Sequence, residues 1–408
     1  EHYPNIRETN KITVKSRRLD TLLQELELNP SEFNIINLDI QGAELLALEG
    51  ATNLLQYIDA INTEVNYEEL YEGCALIEKI DDFLEKKGFE RVGTTTPYHP
   101  SWGDAFYVRK PVITMSTLGK NGRFANQLFQ YAFLKIYAQE HNLRVETPAW
   151  IGQALFGHKD PPISKQLPVV KEITGDLATA KVPHASKPLK NVDFWGYFQY
   201  NTKFYAPHKE YFRGLFKPVV EIENKMQEAM HQLRLRGKTI IGIHLRRGDY
   251  GYSHFFIAPS QWYREWLRGL WETLEKPVLF IASDELETVV GDFAEYYPIT
   301  SKQLGLDLLQ AEFYSDFYIL SQCDIVGISN SSFSFAACML NEKGKLFFRP
   351  HLPSKKIIPF DPWDSEPIFR HVVYGALPAK DKEEVENAKI VPRLPTVNSD
   401  RAEIERLI

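Results

Sequence analysis

Short apolar runs alternate with helical runs through most of the chain. This predicts an α/β protein of two Rossmann-like units, preceded by a partial unit of the same kind. Two observations carry the prediction. The apolar run Ile240-Ile241-Gly242-Ile243 leads directly into His244-Leu245-Arg246-Arg247-Gly248-Asp249-Tyr250, as a buried strand would when it delivers charged residues at its carboxyl end. From Lys238 to Arg349, strand-like and helix-like segments then take turns, the pattern of a doubly wound parallel sheet.

Residues 1–110 form the first block. Ile35–Ile40 reads as a strand, Leu45–Tyr57 as a helix and Ala60–Val65 as a second strand. Leu76–Lys87 reads as an amphipathic helix with Ile77, Ile80, Phe83 and Leu84 on one face, closed by Gly88, and Ala105–Arg109 as a last strand. Val112 marks a boundary.

The second block, residues 112–235, opens with a strand at Val112–Met115, a loop over 119–122 and a helix over Arg123–His141. On that helix Arg123, Asn126, Gln127 and Gln130 recur as a polar stripe, opposite Phe124, Leu128, Phe129 and Ile136. Pro148–Pro188 is rich in proline and reads as loops over short elements. An aromatic segment, Phe194–Tyr200, and a charged helix over Glu221–Leu235 complete the block.

The third block, residues 236–375, begins with the strand that carries the paired arginines. Helices are expected over Pro259–Glu275, Leu286–Tyr296, Glu312–Cys323 and Ser332–Leu340, and strands over Pro277–Ala282, Ile325–Ile328 and Lys345–Arg349. Residues 376–408 are charged and punctuated by proline, and read as a tail.

The chain's 408 residues suffice for two or three domains. Its net charge of −7, from 47 basic and 54 acidic residues, argues against a general nucleic-acid binder but permits a local basic pocket. Cys74, Cys323 and Cys338 lack metal-ligand spacing and read as buried thiols in a reducing compartment. No apolar run approaches a transmembrane length, and Glu1-His2-Tyr3-Pro4 is neither a signal peptide nor a start, so the chain reads as a piece of something longer. A cytoplasmic location is expected, with peripheral attachment to the inner face of the membrane left open.

The residues at the strand ends suit an anion. Arg246 and Arg247 beside Gly248 offer rigid forks of donors to a diphosphate, although an ion pair with Asp249 at a strand end would also account for them. Arg246 is the first candidate; on an extended chain Arg247, one residue on, faces the other way and braces the site or pairs with an acid. His244 is either a phosphate or sugar contact or a hydrogen-bonded core histidine. Asp249 orients Arg246 or contacts the ligand, and its arginine neighbours make it a poor general base. Asn330, Ser331 and Ser332 end a strand and open a helix, where hydroxyls and N–H groups cradle phosphate or cap the helix. Ser283 and Asp284 end another strand and either line the crevice or cap the next helix. Gly122, Arg123 and Asn126 are expected across the cleft from the arginines.

Three segments carry a resemblance. His244–Tyr250 reads H-L-R-R-G-D-Y, Gly122–Phe133 reads G-R-F-A-N-Q-L-F-Q-Y-A-F, and Asp316–Phe333 reads D-F-Y-I-L-S-Q-C-D-I-V-G-I-S-N-S-S-F. In this order they resemble the motifs of the bacterial α-1,2-fucosyltransferase family (glycosyltransferase family 11), over roughly Val112 to His371. The resemblance implies a GT-B-like arrangement, with the unit over 112–235 on the acceptor side and the unit over 236–375 on the nucleotide-sugar side. It implies GDP-fucose as donor, a glycan as acceptor, Arg246 on the diphosphate and Asp316 on guanine, whose N1 and N2 donors a carboxylate can accept. No Asp-x-Asp element occurs, so no cofactor is expected to be required and arginines are expected to stand in for a metal. The family continues its late motif with two tryptophans and a glycine; here Phe335-Ala336-Ala337 comes after Ser334, which predicts a smaller wall at the sugar or acceptor site.

The first block resembles the carboxyl half of FkbM-type methyltransferases through N-L-D-I-Q-G-A-E from Asn37, E-V-N-Y from Glu64, L-Y-E-G from Leu70 and W-G-D-A-F-Y-V from Trp102. Gln41 stands where that family has an acid. The Gly-rich strand-to-helix turn would precede Glu1, so S-adenosylmethionine is expected to bind only if the missing amino-terminal half is present.

Overall fold

The structure is a computed structural model, and it describes residues 12–172, 182, 187–252, 254–306, 308 and 311–369. The chain divides into two compact units, Glu1–Pro111 and Val112–Ile408. The expected tail over 376–408 lies outside the described residues.

The first unit runs α1 (Leu19–Glu25), β1 (Ile35–Leu38), α2 (Glu44–Glu49), β2 (Ala60–Asn66), α3 (Ile77–Lys86), β3 (Phe89–Thr95) and β4 (Trp102–Arg109). Its sheet has the order β1-β2-β4-β3, with β1 parallel to β2 and β4 antiparallel to both its neighbours. Ile36, Ile61, Val65, Ala105 and Tyr107 meet Leu48, Ile77, Ile80 and Leu84 in a single apolar core. The helix expected over Leu45–Tyr57 breaks at Gly50, and only a short 3-10 turn over Leu54–Gln56 comes after it. β3 escaped the sequence reading because only its first residue is buried, so no alternation marks it.

The second unit holds two sheets. The first comprises β5 (Val112–Thr114), β6 (Arg144–Glu146), β7 (Val169–Lys171) and β8 (Val192–Trp195), all parallel in the order β6-β5-β8-β7. α4 (Phe124–Glu140), α5 (Ile151–Phe156), α6 (Lys209–Leu215) and α7 (Val220–Arg234) accompany it. α4 is buried nearly all round, as a helix in the middle of a large core is. Its Leu128, Phe129 and Phe133 are fully enclosed, and truncating one such side chain to alanine costs about 2–5 kcal/mol.

The second sheet comprises β9 (Thr239–Leu245), β10 (Pro277–Ser283), β11 (Ile325–Gly327), β12 (Leu346–His351) and β13 (Lys356–Pro359), in the order β10-β9-β11-β12-β13. It is parallel except for β13, an antiparallel edge strand that the sequence reading missed. The helices are α8 (Ser260–Trp271), α9 (Leu286–Val289), α10 (Glu312–Leu320) and α11 (Ser332–Leu340). Ile241, Ile243, Leu279 and Ile281 pack with Tyr263 and Leu267 of α8, while Ile240, Val278, Phe280 and Val326 belong to the core that holds α10 and α11. Burial on both faces explains why β9 reads as a continuous apolar run. Gly242 lets α10 close on the sheet, because a Cβ there would lie 2.8 Å from the Cys323 Sγ.

Candidate functional site

Chain order locates the crevice. From β9 the chain moves to β10 on one side and returns to β11 on the other, so the strand order reverses at β9 and β11. In the other sheet it reverses between β5 and β8. Ligands of open α/β sheets bind outside the carboxyl ends at such reversals. The segments that leave those ends are the arginine loop after β9, Ser329–Ser331 after β11, and the Gly119–Gly122 loop after β5.

Arg246 is largely buried, with 16% of its side chain exposed. Its Nη2 and Nε donate to Asp249 Oδ1 at 2.6 and 2.9 Å, and its Nε lies 3.2 Å from Asp284 Oδ2. Its main-chain N–H donates to Ser329 Oγ at 3.2 Å, and its guanidinium stands 5.7 Å from the centre of the Tyr250 ring. The neighbouring Arg247 turns the other way. It donates through Nη2 to Ser260 Oγ at the start of α8, and through its backbone to Asp284 Oδ1 at 2.8 Å. The loop bends at Gly248, where a Cβ would approach Asp284 Oδ2 to 2.8 Å. Asp284 thus ties the β10 end to the arginine loop.

The facing wall comes from the start of α4. Arg123, the residue before that helix, is half exposed and reaches Asp249 Oδ2 at 3.2 Å. Asp249 therefore holds one guanidinium from each sheet. Asn126 Oδ1 accepts from Gln199 at 2.6 Å and from Ser332 Oγ at 3.1 Å, a second link across the crevice. Gly122 has φ +81°, and a Cβ there would collide with the Asn126 side chain. Gln130 is buried and donates to Asn121 O and Gly196 O at 3.1 and 2.8 Å, so this part of the polar stripe holds two strand-end loops together.

Several expected site residues take supporting positions. His244 is buried; its Nδ1 lies 2.9 Å from both Ser334 Oγ and Ser329 Oγ, and its ring faces Phe333. Burial pushes its pKa down to about 4, so it is neutral at pH 7. Ser283 Oγ donates to Leu245 O at 2.7 Å and accepts from Glu285 N–H. The Asn330 amide is spent internally: Nδ2 donates to His254 O at 2.6 Å, and Oδ1 accepts from Phe369 N–H at 2.9 Å and from Arg349 at 3.2 Å. Ser331 caps α11 and accepts from Phe333 N–H. Phe335, Ala336 and Ala337 are fully buried, so the departure at these positions lies inside the core and forms no wall of the crevice.

Asp316 stands apart on α10. No hydrogen bond or ion pair joins it to the arginine loop among the described residues, and its buried Oδ1 has no partner. Burial pushes its pKa up to about 6, opposed by the Ser301 hydroxyl and the Lys302 charge. The sequence reading gave no role to Ser329, Tyr250 or Gln199, which lie within the quoted motifs or the aromatic segment; only their three-dimensional contacts show what they hold. Among the described residues no group of three His, Cys, Asp or Glu side chains could hold a metal, and no helix is long and apolar enough to cross a membrane.

Two Rossmann-like sheets whose strand-end loops meet through Asp249 and Asn126 make the GT-B-like arrangement. Residues 95–351 match the profile described as glycosyl transferase family 11, and the chain belongs to that family. Residues 1–91 match the methyltransferase FkbM domain. The galactoside alpha-(1,2)-fucosyltransferase 1 of Alouatta caraya is 26% identical over 252 residues, covering 55% of this chain and 64% of its own length. That of Homo sapiens is 26% identical over 259 residues, covering 55% and 65%. The chain thus spans slightly less than two thirds of these relatives. A crystal structure of the NodZ alpha-1,6-fucosyltransferase soaked with GDP-fucose aligns with TM-score 0.43 and 14% identity, over 62% of this chain and 99% of that one.

Proposed function

We propose that the second unit transfers L-fucose from GDP-β-L-fucose, in α-1,2 linkage, to a galactose-like hydroxyl of a glycan, with inversion and without a metal ion. One observation supports this most directly. Arg123 and Arg246, one from each sheet, meet at Asp249 where both strand orders reverse. A diphosphate arriving there finds two planar guanidiniums and the amino end of α11.

The acceptor hydroxyl forms its bond to the anomeric carbon from the face opposite the diphosphate and releases its proton to solvent water. The bond to the diphosphate oxygen breaks, its electron pair leaves with GDP, and Arg246 stabilises the growing charge. Asp249, held between two cations, orients them and is a poor acceptor for the hydroxyl proton. Asp316 accepts from guanine N1 and N2. Asn126, Gly122 and Arg123 form the facing wall, which Ser332 meets from the other side, while His244, Ser283, Asp284, Asn330 and Ser331 hold the strand-end loops in place. The reading places the protein in the cytoplasm, peripheral to the inner membrane face where its glycan acceptor is membrane-borne; its three cysteines, buried and free, suit a reducing compartment.

A donor screen by calorimetry with GDP-, UDP- and dTDP-sugars tests the reading. Selective binding of GDP-fucose is expected, and a preference for UDP-sugars would remove the guanine role of Asp316.

Methyl transfer is the second reading, favoured by the FkbM match over residues 1–91. Residues 1–111 contain no Gly-x-Gly element, so this chain is expected to leave S-adenosylmethionine unbound in the same calorimeter. Micromolar binding would show that the first unit carries a donor site of another kind.

A further inference from the structure

We infer that Arg349 is a positioning residue for the arginine loop and acts through Asn330. The inference rests on the anion-site reading above.

Arg349 lies on β12, is 1% exposed and is among the largest fully enclosed side chains. No carboxylate forms an ion pair with it among the described residues. Its Nη1 donates to Glu366 O at 2.7 Å and its Nη2 to Asn330 Oδ1 at 3.2 Å. Its guanidinium lies 3.6 Å from the centre of the Phe369 ring, with Phe360 and Phe335 at 5.3 and 5.6 Å. Burial pushes its pKa down to about 9, opposed by the charge of Glu366. A buried cation is costly to hold, and an apolar side chain of similar volume commonly serves stability as well or better. Core packing alone therefore gives no reason for an arginine here.

What the guanidinium supplies is direction. Two donors, Arg349 and the Phe369 N–H, converge on Asn330 Oδ1, which fixes the amide so that Nδ2 points at His254 O. The main-chain oxygen of Asn330 accepts from the Tyr250 hydroxyl at 3.0 Å, and the Tyr250 ring faces Arg246. Asn330 thus grips the loop at Tyr250 and at His254, on the carboxyl side of Arg246. The departure at Phe335 belongs to the same assembly, since its ring is one wall of the cage around Arg349.

Arg349→Met keeps the packing and removes both donors. For the folded variant, GDP affinity should fall about tenfold while guanosine affinity stays within about twofold, because only the diphosphate meets Arg246. Arg349→Lys keeps the charge but cannot serve two acceptors in one plane, and should show a smaller selective loss; it serves as the test should the methionine variant fail to fold. Phe335→Leu thins the cage without removing a hydrogen bond, and should lower stability with the GDP-to-guanosine ratio unchanged. Unchanged GDP affinity in the folded variants, or an equal loss for GDP and guanosine, overturns the inference. Arg246→Ala in the same titration separates the two readings. If it too keeps full GDP affinity, the anion site itself is wrong; if it alone loses affinity, only the role of Arg349 falls.

Discussion

The carboxyl strand ends of the two units carry opposite charge. After β9 and β5, Arg246 and Arg123 share Asp249, and Arg247 leans on α8. After β1 and β2, the equivalent place gathers acids. Gln41 donates to Asp39 Oδ1 at 2.7 Å and to Glu64 Oε2 at 2.9 Å, and Glu44 accepts from Gly42 N–H at 2.9 Å. Burial, then a hydrogen bond and the charge of Asp39, push Glu64 up to about 7. The fold supplies a ligand position at the end of its parallel strands, and side chains alone decide whether an anion is welcome there. A polyanion would meet guanidiniums in the second unit and carboxylates in the first.

The largest test of this contrast is Arg246→Ala. Turnover should drop by about 10²–10³ with near-UV circular dichroism unchanged, and near-normal kcat/KM would leave the cationic end without a purpose. Next comes Gly122→Ala. Alanine is strained at φ +81° and meets Asn126, so the start of α4 must shift; a loss of about 1–3 kcal/mol in urea unfolding is expected, with weaker donor binding.

A pH titration sharpens the guanine role. The Asp316 carboxyl, raised to about 6, is ionised at pH 7.5 and protonated well below 6. If its carboxylate accepts from guanine, GDP affinity falls as pH drops through 6, by about tenfold per unit once the neutral form dominates. A flat profile down to pH 5 would detach Asp316 from the donor. The smallest expected effect is in the acidic end. Between its ordinary 4.5 and about 7, folded Glu64 holds a proton that the unfolded chain has released, so stability falls as pH rises through that window. Glu64→Gln should remove this dependence and raise Tm at pH 8 by ~2–4 °C. Chelation should leave transfer within about twofold of its starting rate; loss that manganese restores would assign the leaving group to a metal instead.

Much of the architecture is legible in the sequence. β9 and α11 announce themselves because each is mostly apolar and borders a polar motif, at the end of β9 and at the start of α11, and α4 spans the segment expected for it. The antiparallel edges β3 and β13 are not legible: edge strands bury one side at most, and neither carries a clear alternation. The role of Asn330 is hidden for a different reason. Its partners His254, Arg349 and Phe369 are 76, 19 and 39 residues away, so no local pattern can show that its amide is already engaged. His244 illustrates the same limit, since its serine partners lie 85 and 90 residues further on.

Asp249 gives the crevice a counter-ion of its own. With one guanidinium arriving from each sheet, like charges face each other, and without the carboxylate they would push the two walls apart at low ionic strength. An entering polyanion must therefore compete with an internal one. A small, weakly charged anion is at a disadvantage in that contest against one that carries several charges close together.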